Sequence, residues 1–256
     1  MSTSDYTLSK GRIWLKLAGE AFYRDFGNTP DFKITIETEN VEHFSGKGPN
    51  KNKDWEHLNS YRVKWAATAE ELSVENMKLF FASDSTEDIV QTGATVSAEA
   101  IADVEPFRGY KLAYHSLEHV VPSSVVVKKG LTTFVEGTDY EVDYKEGILY
   151  ILGGAIVSGD DITVDYKALT VTTGTYTQIN GSSRSNYEGD IIFVGNPGAG
   201  HKLTVKGYVS IMPSGDVALI GDDLVKLQLG GEFLVGHGYG KDNAGLFEVL
   251  DRGKVT

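Results

Sequence analysis

Apolar and polar residues alternate with a period of two along much of the chain, and this alternation predicts β-strands. The first strand is predicted over residues 11–17, where every second residue from Ile13 onward is Ile or Leu. The next begins at Phe32, where Phe32, Ile34 and Ile36 point to one side of the strand. Thr35, Glu37 and Glu39 point to the other side. A strand with one apolar and one polar face is typical of an antiparallel sheet.

A long hairpin is predicted to follow, because a second alternating strand covers residues 61–67. The segment between the two strands, residues 45–59, is poor in apolar residues and rich in turn formers, so we expect a mobile loop at the hairpin tip. The residues that distinguish this loop are Gly46, Lys47, Lys51, Lys53 and Trp55.

One helix is predicted after the second strand. Ser73 is a residue that caps helix N-termini through its hydroxyl oxygen. Val74, Met77 and Phe81 then form an apolar stripe at helical spacing, with Phe80 beside it. This stripe favours a helix that covers a core over one that holds a cofactor.

The rest of the chain again favours short strands separated by turns rich in Gly, Ser and Asp. Two stretches, residues 82–106 and 170–186, are predicted to be irregular. The further predicted strands cover residues 120–128, 139–144, 148–152, 162–166, 191–194, 203–211, 217–220, 224–235 and 246–250.

Composition narrows the classes of protein that remain. The chain has 256 residues, a formal net charge of -12, and no cysteine. The absence of cysteine excludes a disulfide framework and thiolate chemistry. An acidic surface disfavours binding to the phosphates of DNA. Neither an N-terminal signal nor an apolar run of about 20 residues is present, so we expect a soluble protein synthesised in the cytoplasm, with no membrane partner.

The negative net charge of the chain makes the basic hairpin tip a candidate contact surface. Lys47, Lys51 and Lys53 place positive charge on an otherwise acidic protein. Such a tip should be attracted to an acidic partner, of which the nearest is another copy of the same chain. Trp55 can add an apolar anchor to that contact. The alternatives are a solvated tip without a partner and a contact with DNA phosphates.

Two short motifs resemble a zinc-binding and a phosphate-binding sequence, but the residues around them favour neither site. The sequence from His115 to His119 matches the H-x-x-E-H zinc pattern, but it runs into Val120-Val121-Pro122, which favours extended structure over the required helix. Residues 195–204 resemble a phosphate-binding loop, but they lead into an alternating strand where such a loop needs a helix. We therefore expect no catalytic residue, no metal site and no cofactor.

The order of several short motifs resembles the major tail tube proteins of long-tailed, non-contractile bacteriophages. The similarity spans nearly the whole chain. The stretches that carry it are Lys10-Gly11-Arg12-Ile13-Trp14-Leu15, Phe26-Gly27-Asn28-Thr29-Pro30-Asp31-Phe32, Thr35-Ile36-Glu37-Thr38-Glu39, Val41-Glu42-His43-Phe44-Ser45, Leu72-Ser73-Val74-Glu75-Asn76-Met77, Gly137-Thr138-Asp139-Tyr140-Glu141-Val142-Asp143, Gly195-Asn196-Pro197 and Pro213-Ser214-Gly215-Asp216-Val217-Ala218-Leu219-Ile220.

The resemblance implies a mainly β fold, an antiparallel β-sandwich or half-barrel of the phage tail tube type with one flanking α-helix. It implies a single tail tube domain over residues 1–256, and it allows residues 105–170 to be an insertion on the outer surface of the tube. Six subunits would join their sheets into a ring, and the rings would stack into the tail of the virion. The long hairpin loop near the start would contact the neighbouring ring.

The partners that the resemblance implies are other copies of the chain, a tape-measure protein, and tail-tip and terminator proteins. DNA would pass through the lumen without sequence-specific binding. Thr35, Glu37 and Glu39 are candidates to line that lumen, where carboxylates would repel DNA; the simple alternative is a solvated sheet face. Two other functions stay open: a capsid decoration or other β-rich virion surface protein, and a carbohydrate-binding adhesin module that uses Trp14, Trp55 and Trp65.

Overall fold

The computed structural model describes residues 6–47, 50–118, 124–239 and 245–255. The chain divides into two compact units. Unit 1 comprises the described residues up to Thr86 and those from Ile179 onward, and unit 2 comprises Glu87–Gln178. The strands are β1 (Gly11–Leu17), β2 (Arg24–Asp25), β3 (Phe32–Ser45), β4 (Asn52–Ala69), β5 (Thr86–Asp88), β6 (Ala94–Val104), β7 (Gly109–Lys111), β8 (Val126–Lys129), β9 (Thr132–Thr133), β10 (Tyr140–Asp143), β11 (Ile148–Ile151), β12 (Asp160–Ala168), β13 (Thr177–Ile179), β14 (Tyr187–Gly195), β15 (Gly200–Pro213), β16 (Leu227–Leu234) and β17 (Phe247–Val255).

The described part of unit 1 contains one eight-stranded antiparallel sheet. Its strand order is β2-β1-β14-β15-β16-β4-β3, and β17 pairs with the first half of β15, beyond the end of β16. The period-2 alternation buries one face of this sheet. Ile13 and Leu15 of β1, Val63 and Trp65 of β4 and Ile191 of β14 all lie in the same apolar core.

Helix α1 (Val74–Phe80) covers this core and lies against β15 and β16. Ser73 caps the helix as predicted, since its side-chain oxygen accepts a hydrogen bond from the backbone nitrogen of Asn76 at 3.2 Å. The buried face differs from the predicted stripe. Leu79 and Phe80 are buried, whereas Val74 and Met77 are only half-buried and Phe81 lies just past the last helical residue.

Unit 2 is a β-sandwich with its own core. A four-stranded sheet of order β6-β12-β8-β9 supplies Val127, Val164 and other buried residues, and a three-stranded sheet of order β10-β11-β7 supplies Leu149 and Ile151. The fold predicted from the sequence, mainly β with antiparallel sheets and one helix, is confirmed. The segment proposed as an insertion, residues 105–170, lies within unit 2, but its position on a tube stays a prediction.

Several predicted segments are wrong or shifted. Residues 82–106 are not irregular, because Ala94–Val104 forms β6; small residues suffice there since the ladder to β12 supplies the pairing. Residues 217–220 are not a strand but part of the loop between β15 and β16. The strand predicted over 120–128 is described only from Val126, and residues 119–123 lie outside the described part.

Candidate functional site

Strands β3 and β4 extend far beyond the sheet and form a two-stranded arm. The two strands pair along their whole length, but β16 pairs with β4 only between Lys64 and Ala69. A strand rises about 3.3 Å per residue, so the part of β4 from Asn52 to Tyr61 extends about 30 Å. We define the arm as Thr38–Ser45 and Asn52–Tyr61, joined by a turn. Within the described residues, the arm has no third strand beside it.

The turn of the arm is shorter than predicted. Sequence alone predicts a loop over residues 45–59, but β3 continues to Ser45 and β4 begins at Asn52. Two bulges in the ladder, at Glu39/Asn40 and at His43/Phe44, accommodate the irregular pattern of polar residues. The predicted hairpin is thus confirmed, while the predicted loop is mostly strand.

Large apolar side chains of the arm are exposed instead of packed in a core. Trp55 is 52% exposed and Tyr61 is 59% exposed. The others in this group are Val41, Phe44 and Leu58. Trp55 stacks on His57 at a ring distance of 5.7 Å, and their ladder partners are His43 and Val41. Apolar groups collected on a thin ribbon are typical of a surface that binds another protein.

Lys53 is not an unpaired cation, contrary to the role expected for it at the tip. Its ammonium nitrogen lies 2.7 Å from Glu42 Oε1 and 2.8 Å from Glu56 Oε2. Glu56 also accepts a hydrogen bond from the Asn40 amide at 2.5 Å. The hydrogen bond to Glu42, and to a smaller extent the hydrogen bond to Glu56, raises the pKa of Lys53. The hydrogen bond from Lys53, and to a smaller extent the hydrogen bond from Asn40, lowers the pKa of Glu56. This network braces the two strands.

The positive charge that remains available at the turn comes from Lys47 and Lys51. Both are exposed, and within the described part of the chain neither makes an ion pair. Gly46 is also exposed, with open space around the position where a Cβ would stand. The turn therefore adds two exposed lysines to an arm that also exposes Phe44 and Trp55.

The residues proposed to line a lumen are exposed on the face of β3 opposite the core. Thr35 and Glu37 border a shallow depression with Lys64 and Met212. Glu37 is partly neutralised, because its Oε2 lies 2.8 Å from Lys64 Nζ. Glu39 accepts a hydrogen bond from Ser60 at 3.0 Å. This face thus carries charges of both signs, and it would repel DNA less than the sequence suggests.

The tryptophans differ in what they can contact. Trp65 is only 3% exposed and donates a hydrogen bond from Nε1 to the carbonyl oxygen of Ser210 at 2.9 Å. It cannot stack on a sugar ring. Trp14 is half-buried, and Trp55 is the exposed member of the three. A carbohydrate platform built from all three tryptophans is therefore absent from the described residues.

The rejected motifs have ordinary structural surroundings. The described residues up to Glu118 contain no helix around His115, whose backbone nitrogen instead donates a hydrogen bond to Gln91 Oε1 at 2.9 Å. His119 lies outside the described residues. The glycine-rich segment is a turn between β14 and β15. No group of three or more potential metal ligands occurs in the part of the chain that the structure describes.

A polar contact that the sequence analysis missed holds α1 in place. The Asn76 side chain is buried, accepts a hydrogen bond from Arg24 at 2.9 Å and donates to the carbonyl oxygens of Phe26 and Glu71. Its only signal in the sequence is an Asn in the third position after the cap. Of the exposed apolar residues of the arm, the sequence analysis singled out Trp55 but missed Val41 and Phe44, which are isolated apolar residues in a polar segment.

Comparison with protein families finds a match over residues 6–247 to the family described as protein of unknown function UCP028589. The chain belongs to this family. No curated protein matches the sequence. Among the described residues, no helix is long and apolar enough to cross a membrane.

Proposed function

We propose that this chain is a structural, non-enzymatic subunit that assembles into stacked, hexameric rings and forms the tail tube of a bacteriophage virion. The observation that carries the proposal is the arm, a ribbon about 30 Å long at the rise of a strand that has exposed apolar side chains such as Trp55 and Tyr61. An isolated two-stranded hairpin is marginally stable in water. A protein that keeps such a ribbon needs a partner that covers it.

The edges of the unit 1 sheet supply a second argument. β3 is an edge strand of 14 residues, and at the other end of the sheet β2 pairs only with Trp14 and Leu15 of β1. Unpaired strand edges offer backbone donors and acceptors to another chain. Rings formed by edge-to-edge contact between identical copies would satisfy these groups and leave no open edge.

The charge of the chain fits a conduit for DNA. The formal net charge is -12, and the carboxylates of Glu37 and Glu39 lie on the exposed sheet face. Because Lys64 pairs with Glu37, such a lumen would repel DNA mainly through the net negative charge of the chain, which would keep DNA from adhering while it passes through. The tape-measure protein, the tail-tip proteins and the terminator are the partners of such a tube. These partners and the location in the virion are part of the proposal.

Negative-stain electron microscopy and analytical ultracentrifugation of the purified protein test the proposal. We expect hollow tubes or rings at high protein concentration, and a monomer–oligomer equilibrium that shifts with concentration. A preparation that stays strictly monomeric at high concentration, in both low and high salt, would contradict the proposal. Particles bound to capsids without any tube would instead favour the decoration protein.

A further inference from the structure

The loop between β15 and β16, residues 214–226, exposes three large apolar side chains. Leu219 is 72% exposed, Ile220 is 97% exposed and Leu224 is 74% exposed. Sequence alone predicts a strand over part of this loop, in which alternate residues would be buried. The structure instead presents these side chains to solvent on a protein with a strongly acidic composition. Several large exposed apolar residues in one loop indicate a binding surface.

The loop is anchored at both ends. At its start, the backbone nitrogen of Ser214 donates to the carbonyl oxygen of Gln228 at 3.0 Å, and Val217 packs against the unit 1 core. At its end, Lys226 Nζ lies 3.8 Å from Glu70 Oε1. The exposed apolar residues therefore lie between two fixed points, so their exposure is a property of the folded subunit.

Acidic residues lie near the apolar residues of the loop in the sequence. Asp216, Asp222 and Asp223 are all exposed. None of them takes part in an ion pair within the described residues. The loop therefore combines an apolar surface with unpaired negative charge.

The loop and the arm turn lie at opposite ends of β4. At one end, Ala69 pairs with Leu227, the first residue after the loop. At the other end, Asn52 pairs with Ser45 at the turn of the arm. β4 contains 18 residues, which at about 3.3 Å per residue separates the two features by about 55 Å. One end of the subunit sheet thus carries the arm and the other carries the loop.

The two surfaces are complementary in charge and alike in apolar character. Near its turn, the arm presents Phe44 and Trp55 together with Lys47 and Lys51. Contact between two arm turns would bring lysines together, and contact between two loops would bring aspartates together. Contact between an arm and a loop joins opposite charges and covers apolar side chains on both partners.

We propose that the β15–β16 loop is the surface on which the arm of the next copy of this chain docks. The contact joins different surfaces of two identical chains at opposite ends of the sheet, so it repeats head-to-tail and extends a stack. This inference rests on the proposed function and names the partner surface for the arm. Closing a ring through strand edges does not require it.

Site-directed crosslinking tests the contact. Because the chain has no native cysteine, only the introduced cysteines can form disulfides. Lys51→Cys and Ile220→Cys are prepared as separate variants, mixed under assembly conditions and oxidised. We expect disulfide-linked dimers in the mixture, each containing one chain of each variant. Dimers of Lys51→Cys alone as the main product, or no crosslink in a mixture that forms tubes, would overturn the inference.

A loop variant separates this inference from the proposed function. The triple substitution Leu219→Ser, Ile220→Ser and Leu224→Ser should leave rings that no longer stack. Leu131→Ser is the matched control, because Leu131 is fully exposed in a turn of unit 2 and should leave stacking unchanged. Normal tubes from the triple variant would overturn the docking surface and leave the proposed function standing. Absence of rings and tubes from the unmodified protein would overturn the proposed function itself.

Discussion

Lys53 Nζ lies 2.7 Å from Glu42 Oε1, on the opposite strand of the arm. Lys53 lies in the segment that the sequence predicts to be a loop, whereas Glu42 lies on the strand before it. Their contact shows that the arm is paired almost to its turn. Because Lys53 also contacts Glu56, its charge braces the arm and is not available to a partner. In the proposed assembly, the positive charge of the arm turn would therefore come from Lys47 and Lys51.

We expect the Lys53 network to depend on pH with a defined sign. The pKa of Glu56 is lowered in the folded arm, so the contribution of this carboxylate is present above its ordinary pKa of 4.5 and is lost as the pH falls through the lowered value. The raised pKa of Lys53 has the opposite sense, and its contribution is lost only as the pH rises past a value above 10.5. The network is therefore intact throughout the neutral range.

NMR titration of the Glu56 carboxylate measures this coupling. Lys53→Met should move the titration of Glu56 upward toward 4.5, whereas Lys47→Met, which removes an unpaired lysine, should not. A Glu56 titration that is the same in Lys53→Met and in the unmodified protein would show that the two side chains are not coupled.

Two tryptophans of β4 should separate assembly from stability. Trp55→Ala should change the free energy of unfolding by less than about 0.5 kcal/mol, because the side chain is exposed, and it should weaken tube formation. Trp65→Ala should cost about 3–5 kcal/mol, because that side chain is buried in the core. Chemical denaturation and electron microscopy measure the two effects. Tubes formed by Trp55→Ala at the same concentration as the unmodified protein would remove Trp55 from the interface.

The turn of the arm should be dispensable for folding and needed for stacking. Replacing residues 46–51 by a short glycine-rich turn removes Lys47 and Lys51 but leaves the Lys53 network and both strands in place. We expect an unchanged circular dichroism spectrum and no stacks in electron micrographs. Each exposed ion pair contributes less than about 1 kcal/mol, so the loss depends on several contacts repeated around a ring. A variant with this turn that still forms tubes of normal length would contradict the role of the lysines.

The double substitution His115→Ala and His119→Ala should leave folding and assembly nearly unchanged. We assign neither histidine a ligand role, and the described residues around His115 are not helical. Metal analysis of the purified protein together with thermal unfolding tests this expectation. Stoichiometric zinc that is lost in the double variant would require a metal site instead.

Several elements could be predicted from the sequence because their own residues carry the signal. β1 matches its predicted bounds, since alternation from Ile13 to Leu17 coincides with burial of one face. The helix follows from Ser73, whose hydroxyl caps it irrespective of what the helix packs against. In both cases local chemistry and tertiary structure agree.

Other features depend on neighbours that are distant in the chain. Alternation at Val63 and Trp65 leads to burial because β16 and the core lie beside them, whereas the similar pattern at residues 217–220 leads to an exposed loop because no strand pairs with it. β6 is a strand because β12 pairs with it, although most of its own residues are small. Likewise, Trp55 and Trp65 belong to the same strand, but only Trp65 packs into the core of unit 1.

Sequence by itself therefore determined the class of the fold, the hairpin and the position of the helix, since backbone periodicity and capping are local properties. Only the tertiary structure decided how far the arm is paired, which lysines remain available and which apolar residues stay exposed. The physical reason is that burial and ion pairing depend on which strands become neighbours, and strand order in a sheet is set by contacts between residues far apart in the chain.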